Sequence, residues 1–191
     1  MFVVVSALHN PTSASMSSGR AFQVLRIAEE FGFTLVEDDV YGDLHPGPGG
    51  QACVRLAALD QLQRVVYLGG FSKTLAANLR VGFVAANEDL IRRMTDLKML
   101  IGLTSPELGE RIVHRVLTEG HYRRHVERLK SRLARSRDTT VRELERLGLS
   151  VFGAPTAGMF VWADAGTDTL PVAQSMLEAG FLMAPGSLFL P

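Results

Sequence analysis

The sequence predicts an α/β fold with a mostly parallel sheet. Two apolar runs typical of buried strands, 2–8 and 33–36, flank a segment in which apolar residues from Ala21 to Phe31 recur at spacings of three and four. That spacing indicates an amphipathic helix. A strand, a helix and a strand in this order form the unit that builds parallel sheets with crossover helices.

The elements follow from local signals in chain order. Ser17 or Ser18 can cap the first helix, and Gly32 ends it. Asn87 is a cap for a later helix, and Pro106 stands in the first turn of the helix after it. The other predicted elements are a short helix or turn at 56–62, strands at 65–68 and 81–86, helices at 88–101, 106–119 and 122–147, short strands at 149–152 and 159–162, a helix at 171–179 and a last apolar run at 181–183.

The long helix at 122–147 divides the predicted architecture. At about 1.5 Å per residue it spans about 40 Å, which is enough to leave one domain and reach another. The segments after it are short strands and one helix, which is typical of a small α+β domain. We therefore predict a sheet-containing domain over 1–120 and a second region over 121–191, made of the long helix and the small α+β domain.

Composition excludes several classes of protein. The chain has 191 residues, 47% of them hydrophobic, and its 20 basic and 20 acidic residues give no argument for nucleic-acid or membrane binding. The single cysteine, Cys53, lies among apolar residues and is predicted to be a packed thiol in a reducing compartment, with no metal site built from cysteines. No apolar run approaches the roughly 18 residues of a membrane span. We expect a cytoplasmic protein.

Lys73 is the residue with the clearest chemical potential. It follows a predicted strand and the pair Gly69–Gly70, which lets the backbone turn sharply or approach a bound group closely. A lysine between two buried strands either reaches water or has a lowered pKa, and a lowered pKa is what imine-forming lysines need. Taken alone, a lysine after glycine is more often an ordinary loop lysine, and it is the rest of the chain that favours a chemical role for Lys73.

Polar residues also follow the other predicted strands. Ligands of open parallel sheets bind beyond the carboxyl ends of the strands, so these residues are expected to share one crevice. A lysine, an aspartate, a phenol, an amide and an arginine together suit pyridoxal phosphate chemistry. Each residue also has a simpler explanation, such as capping a turn, packing at the sheet edge or bracing a proline. The set is Asn10 after the first strand, Asp38 and Tyr41 after the second, Ser72 and Lys73 after the third, and Arg80 before the fourth.

Three motifs in this order carry a resemblance to a known family. They are the runs 9–12 (HNPT), 37–41 (EDDVY) and 71–75 (FSKTL), with an arginine seven residues after the lysine. Together they resemble the fold-type I, class I/II aminotransferases. The lysine-to-arginine spacing is most similar to the aminotransferase-like domain of MocR-type regulators in the GntR family. Segments 154–162 and 184–187 resemble the small domain of the same group.

The resemblance implies a fold and a set of roles. Residues 1–120 would be the C-terminal part of a large pyridoxal-phosphate-binding domain of the aspartate aminotransferase type. Lys73 would hold the cofactor as a Schiff base and later move the substrate's α-proton. Asp38 would keep the pyridine nitrogen of the cofactor protonated.

The resemblance also implies how the rest of the cofactor is bound. Tyr41 and Asn10 would hydrogen-bond the oxygen of the ring hydroxyl. Arg80, with help from Ser72, would bind the phosphate, because a guanidinium suits the geometry of that group. No metal is implied. These proteins commonly form homodimers with the active site at the interface, so a homodimer is expected.

The sequence departs from the family pattern at two positions. Gly70 stands where a phosphate-binding serine is usual, and Ser13 replaces the glycine usual after Asn-Pro-Thr. The glycine-rich phosphate loop and the arginine that grips the substrate carboxylate are also expected outside this sequence, so we expect a fragment of a longer polypeptide that could be inactive alone.

Three functions are compatible with these observations. The leading one is part of an aminotransferase that moves an amino group between an amino acid and a 2-oxo acid. The second is an effector-sensing domain of a MocR-type regulator, which would contact nucleic acid through a module absent from this chain. The third is a non-catalytic remnant of either.

Overall fold

A four-stranded sheet forms the centre of the fold in the computed structural model, which describes residues 1–46 and 54–189. The strands are β1 (Phe2–Val4), β2 (Leu35–Asp38), β3 (Val65–Gly70) and β4 (Gly82–Ala85), and they lie in this order across the sheet. β1, β2 and β3 are parallel, whereas β4 returns antiparallel to β3. The predicted α/β fold with a mostly parallel sheet is therefore confirmed.

The first strand is shorter than the run 2–8 predicted. It ends at Val4, although Ser6, Ala7 and Leu8 are fully buried. The backbone oxygen of Ser6 accepts a hydrogen bond from Met16 instead of from a neighbouring strand, and Leu8 has a left-handed φ of 53°. Burial of an apolar run therefore did not require strand geometry, because a loop satisfied its backbone groups.

Helix α1 (Ser18–Glu30) crosses between β1 and β2. Its cap is Ser17, whose side chain accepts from the backbone of Arg20. The buried side of α1 consists of small residues that contact the sheet and helix α2 (Leu56–Asp60). Phe31, predicted on the same apolar side, is 71% exposed. The residues of this core are Ala21, Ala28, Leu35, Leu56 and Val65.

Three helices follow β4, namely α3 (Glu88–Gly102), α4 (Glu107–Thr118) and α5 (His121–Arg146). Asn87 caps α3 as predicted, accepting from the backbone of Leu90 at 3.0 Å. Pro106 is the N-cap of α4, one position before the predicted first turn. No residue of α3 is fully buried, and the apolar residues Leu97, Leu100 and Ile101 in its second half are more than half exposed.

The C-terminal part of the chain has less strand structure than the sequence predicted. β5 (Ser150–Val151) and β6 (Ala163–Asp164) form a two-residue antiparallel pair, and α6 (Thr169–Glu178) follows. The predicted strand at 159–162 is wrong, since this segment has no strand structure, and the apolar run at 181–183 is not a strand either. The aromatic residues of 159–162 pack against loops: Phe160 contacts Tyr41, and Trp162 contacts Phe189.

Two sequence-based predictions are not tested by this fold. Cys53 lies outside the described residues. The division at 120/121 remains a prediction. No helix in the described ranges has both the length and the apolar character needed to cross a bilayer.

Candidate functional site

The candidate site lies at the carboxyl ends of β2 and β3. The two strands are parallel neighbours, and Asp38 pairs in register with Leu68. The loop after β2 therefore leaves the sheet beside the loop after β3, which carries Ser72 and Lys73. This shared edge is where open α/β sheets bind their ligands.

A cavity of about 220 Å³ opens between β3, β4 and the loop that joins them. Two cations and a hydroxyl line it, together with backbone that glycines leave uncovered. Cations and hydroxyls are the groups that bind anions such as phosphate. The lining residues are Val40, Gly69, Gly70, Ser72, Lys73, Arg80, Val81 and Gly82.

The two glycines at the end of β3 do not turn the chain, and only Gly69 stands at a close approach. Gly69 and Gly70 are the last two residues of the extended strand and pair with Phe83 and Gly82. A Cβ at Gly69 would lie 2.3 Å from the Phe83 ring, so only glycine allows this ring to cross the strand. The ring of Phe83 also contacts Tyr67 and Phe71, with centroids 6.0 and 6.1 Å away.

Lys73 reaches solvent, which is the first of the two outcomes its position allowed. Its side chain is exposed, and Nζ lies 5.8 Å from the centroid of the Tyr41 ring. That distance is within the range of a cation–π interaction. The lysine is therefore directed from the end of β3 toward the loop that follows β2.

Tyr41 lies beside Lys73 and within the electrostatic influence of Asp38. The ring is buried and packs edge-to-face on Phe160, with centroids 5.3 Å apart. Burial raises the pKa of Tyr41, and the neighbouring carboxylate of Asp38 raises it further. The phenol is thus neutral at physiological pH and can donate a hydrogen bond.

Asp38 is half-buried at the end of β2. One carboxylate oxygen, Oδ1, accepts a hydrogen bond from the backbone of Val40 at 3.2 Å. This contact fixes the carboxylate at the sheet edge and leaves Oδ2 without a described hydrogen bond among residues 1–46 and 54–189. The carboxylate can therefore take a further donor.

Arg80 has an unfavourable backbone conformation at the cavity. Its φ is 53°, in the left-handed region that a residue with a Cβ adopts at a cost of about 1–2 kcal/mol. Nη1 lies 3.4 Å from the backbone oxygen of Ala77, and the rest of the guanidinium is exposed. Strain of this kind is often retained where a side chain must be aimed at a ligand.

Asn10 has the fewest contacts to the other residues of the predicted site. It is exposed in the turn after β1, and within the described residues its side chain makes no hydrogen bond to the other candidates. Its neighbour Ser13 is better anchored. Ser13 has a φ of 53°, and its hydroxyl donates to the backbone oxygen of Phe160 at 2.8 Å.

Two carboxylates beside Asp38 were not singled out from the sequence. Glu37 is fully buried and accepts hydrogen bonds from Ser6 and from the backbone of Leu56 and Ala57. The alternation of Leu35, Glu37 and Asp39 on one side of the chain was the signal that could have placed Glu37 inward.

Asp39 is held by its own partners. Arg55 Nε binds Oδ2 at 2.8 Å, and the Tyr67 hydroxyl donates to the same oxygen at 2.7 Å. Burial and this hydrogen bond raise the pKa of Tyr67. No sequence pattern predicts this cluster of Asp39, Arg55 and Tyr67, since its members come from three separate segments.

Comparison with known proteins identifies the family. The profile of the family described as aminotransferase class I and II matches residues 1–190. The chain belongs to this family. Aminotransferases and HTH-type transcriptional regulators are both among its relatives.

Two relatives represent these groups. The HTH-type transcriptional regulator YisV of Bacillus subtilis is 30% identical over 99% of this chain and 40% of its own length. Aromatic-amino-acid aminotransferase 1 of Thermococcus litoralis is 30% identical over 97% of this chain and 45% of its own length. The chain thus spans less than half the length of these two relatives.

Solved aminotransferase structures share the fold. The kynurenine aminotransferase of Pyrococcus horikoshii superposes with a TM-score of 0.87 at 30% identity, covering 98% of this chain and 47% of that protein. A multiple substrate aminotransferase of Thermococcus profundus gives 0.87 at 32% identity with the same coverage. The predicted aspartate aminotransferase-like fold is therefore confirmed.

Proposed function

We propose that this chain is the lysine-bearing part of a pyridoxal-phosphate-dependent aminotransferase that transfers an amino group between an amino acid and a 2-oxo acid. The observation that carries the proposal is the convergence at one sheet edge. Ser72, Lys73 and Arg80 line one cavity, and Lys73 Nζ approaches Tyr41, whose pKa responds to Asp38.

The residues present fit one end of the cofactor. A cavity of about 220 Å³ is smaller than the ~300–1,000 Å³ of ordinary ligand pockets. Its lysine, arginine and hydroxyl suit a phosphate. We infer that Ser72 and Arg80 hold the phosphate there, while Asp38 and Tyr41 contact the ring. A Cβ at Gly70 would meet its nearest neighbour, the backbone oxygen of Val81, at 3.7 Å, which is ordinary van der Waals contact, so packing does not exclude the serine that is usual at this position.

Each side chain has a defined task in this proposal. When bound, pyridoxal phosphate supplies an aldehyde that condenses with amines and a ring that accepts electrons. Lys73 Nζ would be the amine that attaches the cofactor, and it would then move the proton of the substrate's α-carbon. Asp38 would hold a proton on the ring nitrogen, and the neutral phenol of Tyr41 would donate to the ring oxygen. Asn10 is proposed as a second donor to that oxygen.

The test is the visible absorbance of the full-length protein with added pyridoxal phosphate. We expect wild type to develop a visible band and Lys73→Ala to lack it. Lys98→Ala is the matched control, because Lys98 is exposed on α3, away from the cavity. Equal bands in wild type and Lys73→Ala would exclude Lys73 as the attachment residue.

A regulator is the second candidate, and the similarity to YisV over 99% of the chain favours it. In that case the same lysine would bind an amine effector or the cofactor, and DNA would be contacted through a separate module. Turnover separates the two candidates. An aminotransferase converts an amino acid and a 2-oxo acid with pyridoxal phosphate present, whereas a sensor shows the visible band without turnover.

Two further properties are proposed from the family resemblance and the composition. We propose a homodimer, and the strongly exposed apolar residues Leu100, Ile101 and Leu103 at the end of α3 are of the kind that interfaces bury. Sedimentation velocity of the full-length protein tests it. We also propose a cytoplasmic location, for which the single cysteine is the supporting observation.

A further inference from the structure

The turn that carries Lys73 is held by helix α5. Thr74, the residue after Lys73, is 2% exposed. The hydroxyl of Tyr122 lies 2.9 Å from the Thr74 hydroxyl, and Nε2 of His125 lies 2.8 Å from the Thr74 backbone oxygen. Both partners stand in the first turns of α5, about fifty residues along the chain. Helix α5 thus forms hydrogen bonds with both the side chain and the backbone of Thr74.

The direction of each hydrogen bond follows from the chemistry of the groups. The Tyr122 hydroxyl also contacts the carboxylate of Asp43, which accepts and cannot donate. The single phenol proton therefore goes to Asp43, and the Thr74 hydroxyl donates to the phenol oxygen. Burial and Asp43 raise the pKa of Tyr122, so the phenol keeps this proton at neutral pH. At His125, Nε2 must carry the proton, because a carbonyl oxygen can only accept.

A second contact supports the same arrangement. The ring of Phe71, two residues before Lys73, packs edge-to-face on the Tyr122 ring with centroids 5.8 Å apart. The backbone of Leu75 donates to Phe71 at 2.8 Å and closes the turn around the lysine. Tyr122 therefore contacts the turn on both sides of Lys73.

We propose that Tyr122 and His125 are positioning residues that set the direction of the Lys73 amine through Thr74. The inference rests on the proposed function of Lys73 as the attachment residue. The Lys73 side chain itself is exposed, so the placement of Nζ depends on the backbone of the turn. Covalent chemistry tolerates about 0.5 Å of error in such a group, and a misplacement of about 1 Å can cost up to 100-fold in rate.

The experiment separates positioning from binding in the full-length protein. The rate at which the visible band appears after mixing with pyridoxal phosphate reports attachment. The dissociation constant of pyridoxine 5′-phosphate, which has an alcohol in place of the aldehyde, reports binding without attachment. For Tyr122→Phe and His125→Leu we expect the rate to fall about 5- to 20-fold and the dissociation constant of the analogue to change less than about twofold.

Matched variants keep the test independent of folding defects. Gln places an amide donor near the position of Nε2 and Asn does not reach it, so His125→Gln should retain most of the rate and His125→Asn should lose it. Thr74→Ser should behave as wild type and Thr74→Val as Tyr122→Phe. His121→Gln is the control, since His121 is exposed on the same helix and contacts Glu119 and Arg124.

Each result decides the proposal. Unchanged rates in Tyr122→Phe and His125→Asn would overturn it. A parallel loss of analogue binding would also overturn it, because the residues would then support the cavity as a whole. A wild-type protein that binds the analogue and never develops the band would reject the proposed function of Lys73 and this inference with it.

Discussion

The two sides of β2 carry adjacent carboxylates that differ in burial and in the number of hydrogen bonds they accept. Glu37 points to the side of Leu35, is fully buried and is occupied by three hydrogen-bond donors. Asp38 points to the other side, is half-buried and accepts from Val40 through one oxygen. The next residue, Asp39, is buried and bound by Arg55 and Tyr67.

This comparison shows how to choose among neighbouring acidic residues. A buried carboxylate is stable only when its acceptors are filled, and a carboxylate filled by the protein has little capacity left for a ligand. Asp39 keeps one oxygen, Oδ1, without a partner among the described residues, but that atom is buried. Asp38 is half-buried and has Oδ2 without a partner in the same ranges, so it is the acid that a ligand can reach. The strand geometry thus supports the choice of Asp38 for the cofactor, and it assigns Glu37 and Asp39 to the support of the site.

The largest effect is expected at Glu37. Glu37→Ala leaves the backbone N–H groups of Leu56 and Ala57 buried without acceptors, and we expect the free energy of unfolding to fall by about 3 kcal/mol or more. Urea denaturation followed by circular dichroism measures it. Glu30→Ala, at an exposed glutamate of α1, is the control. A loss no greater than in the control would contradict the structural role of Glu37.

A smaller effect is expected in the Asp39 cluster. Tyr67→Phe removes the hydroxyl that donates to Asp39 and should lower the free energy of unfolding by about 1.5 kcal/mol, since the bond has a charged acceptor. A double-mutant cycle with Asp39→Asn isolates the pair. Strictly additive losses would show that the two side chains do not interact in solution.

Alkaline pH tests the same cluster without the loss of a side chain. The pKa of Tyr67 is raised in the folded protein, so the folded state keeps its proton when an unfolded tyrosine begins to lose it near pH 10. The stabilisation is complete below that pH and is lost as pH rises above it. We expect a fall on the order of 1 kcal/mol between pH 9 and 11, and a shallower fall in Tyr67→Phe.

The smallest effect on stability is expected at Asp38. Asp38→Asn keeps an oxygen that can accept from Val40, so the free energy of unfolding should change by no more than about 0.5 kcal/mol. The same urea denaturation measures it. A loss comparable with that of Glu37→Ala would show that the two sides of β2 do not differ in the way we describe.

The succession of strands and helices along the chain could be predicted because it depends on local patterns. The run 33–36 and the helix before it have the periodicities of a strand and an amphipathic helix, and Ser17 and Asn87 cap helices as their side chains allow. The prediction of a strand at 159–162 was wrong. Phe160 packs on the Tyr41 ring, and an apolar residue that packs in this way has the same hydrophobicity as one in a strand. Tertiary contacts decided such segments.

The candidate site was predictable in its residue types and less so in its supports. Lys73 and Asp38 stand at strand ends, which a sequence pattern can locate. The hydrogen bonds of Tyr122 and His125 to Thr74 join segments about fifty residues apart, and no local sequence pattern predicts them. The hydrogen bonds that Glu37 accepts likewise come in part from the start of α2, nearly twenty residues away.

The most direct test compares cofactor binding and stability in Asp38→Asn and Glu37→Gln in the full-length protein. We predict that Asp38→Asn unfolds like wild type and binds pyridoxal phosphate at least about tenfold more weakly, a change of roughly 1.4 kcal/mol. Glu37→Gln should lose stability instead. Wild-type affinity for the cofactor in Asp38→Asn, together with wild-type stability in Glu37→Gln, would contradict the division of roles between the two sides of β2.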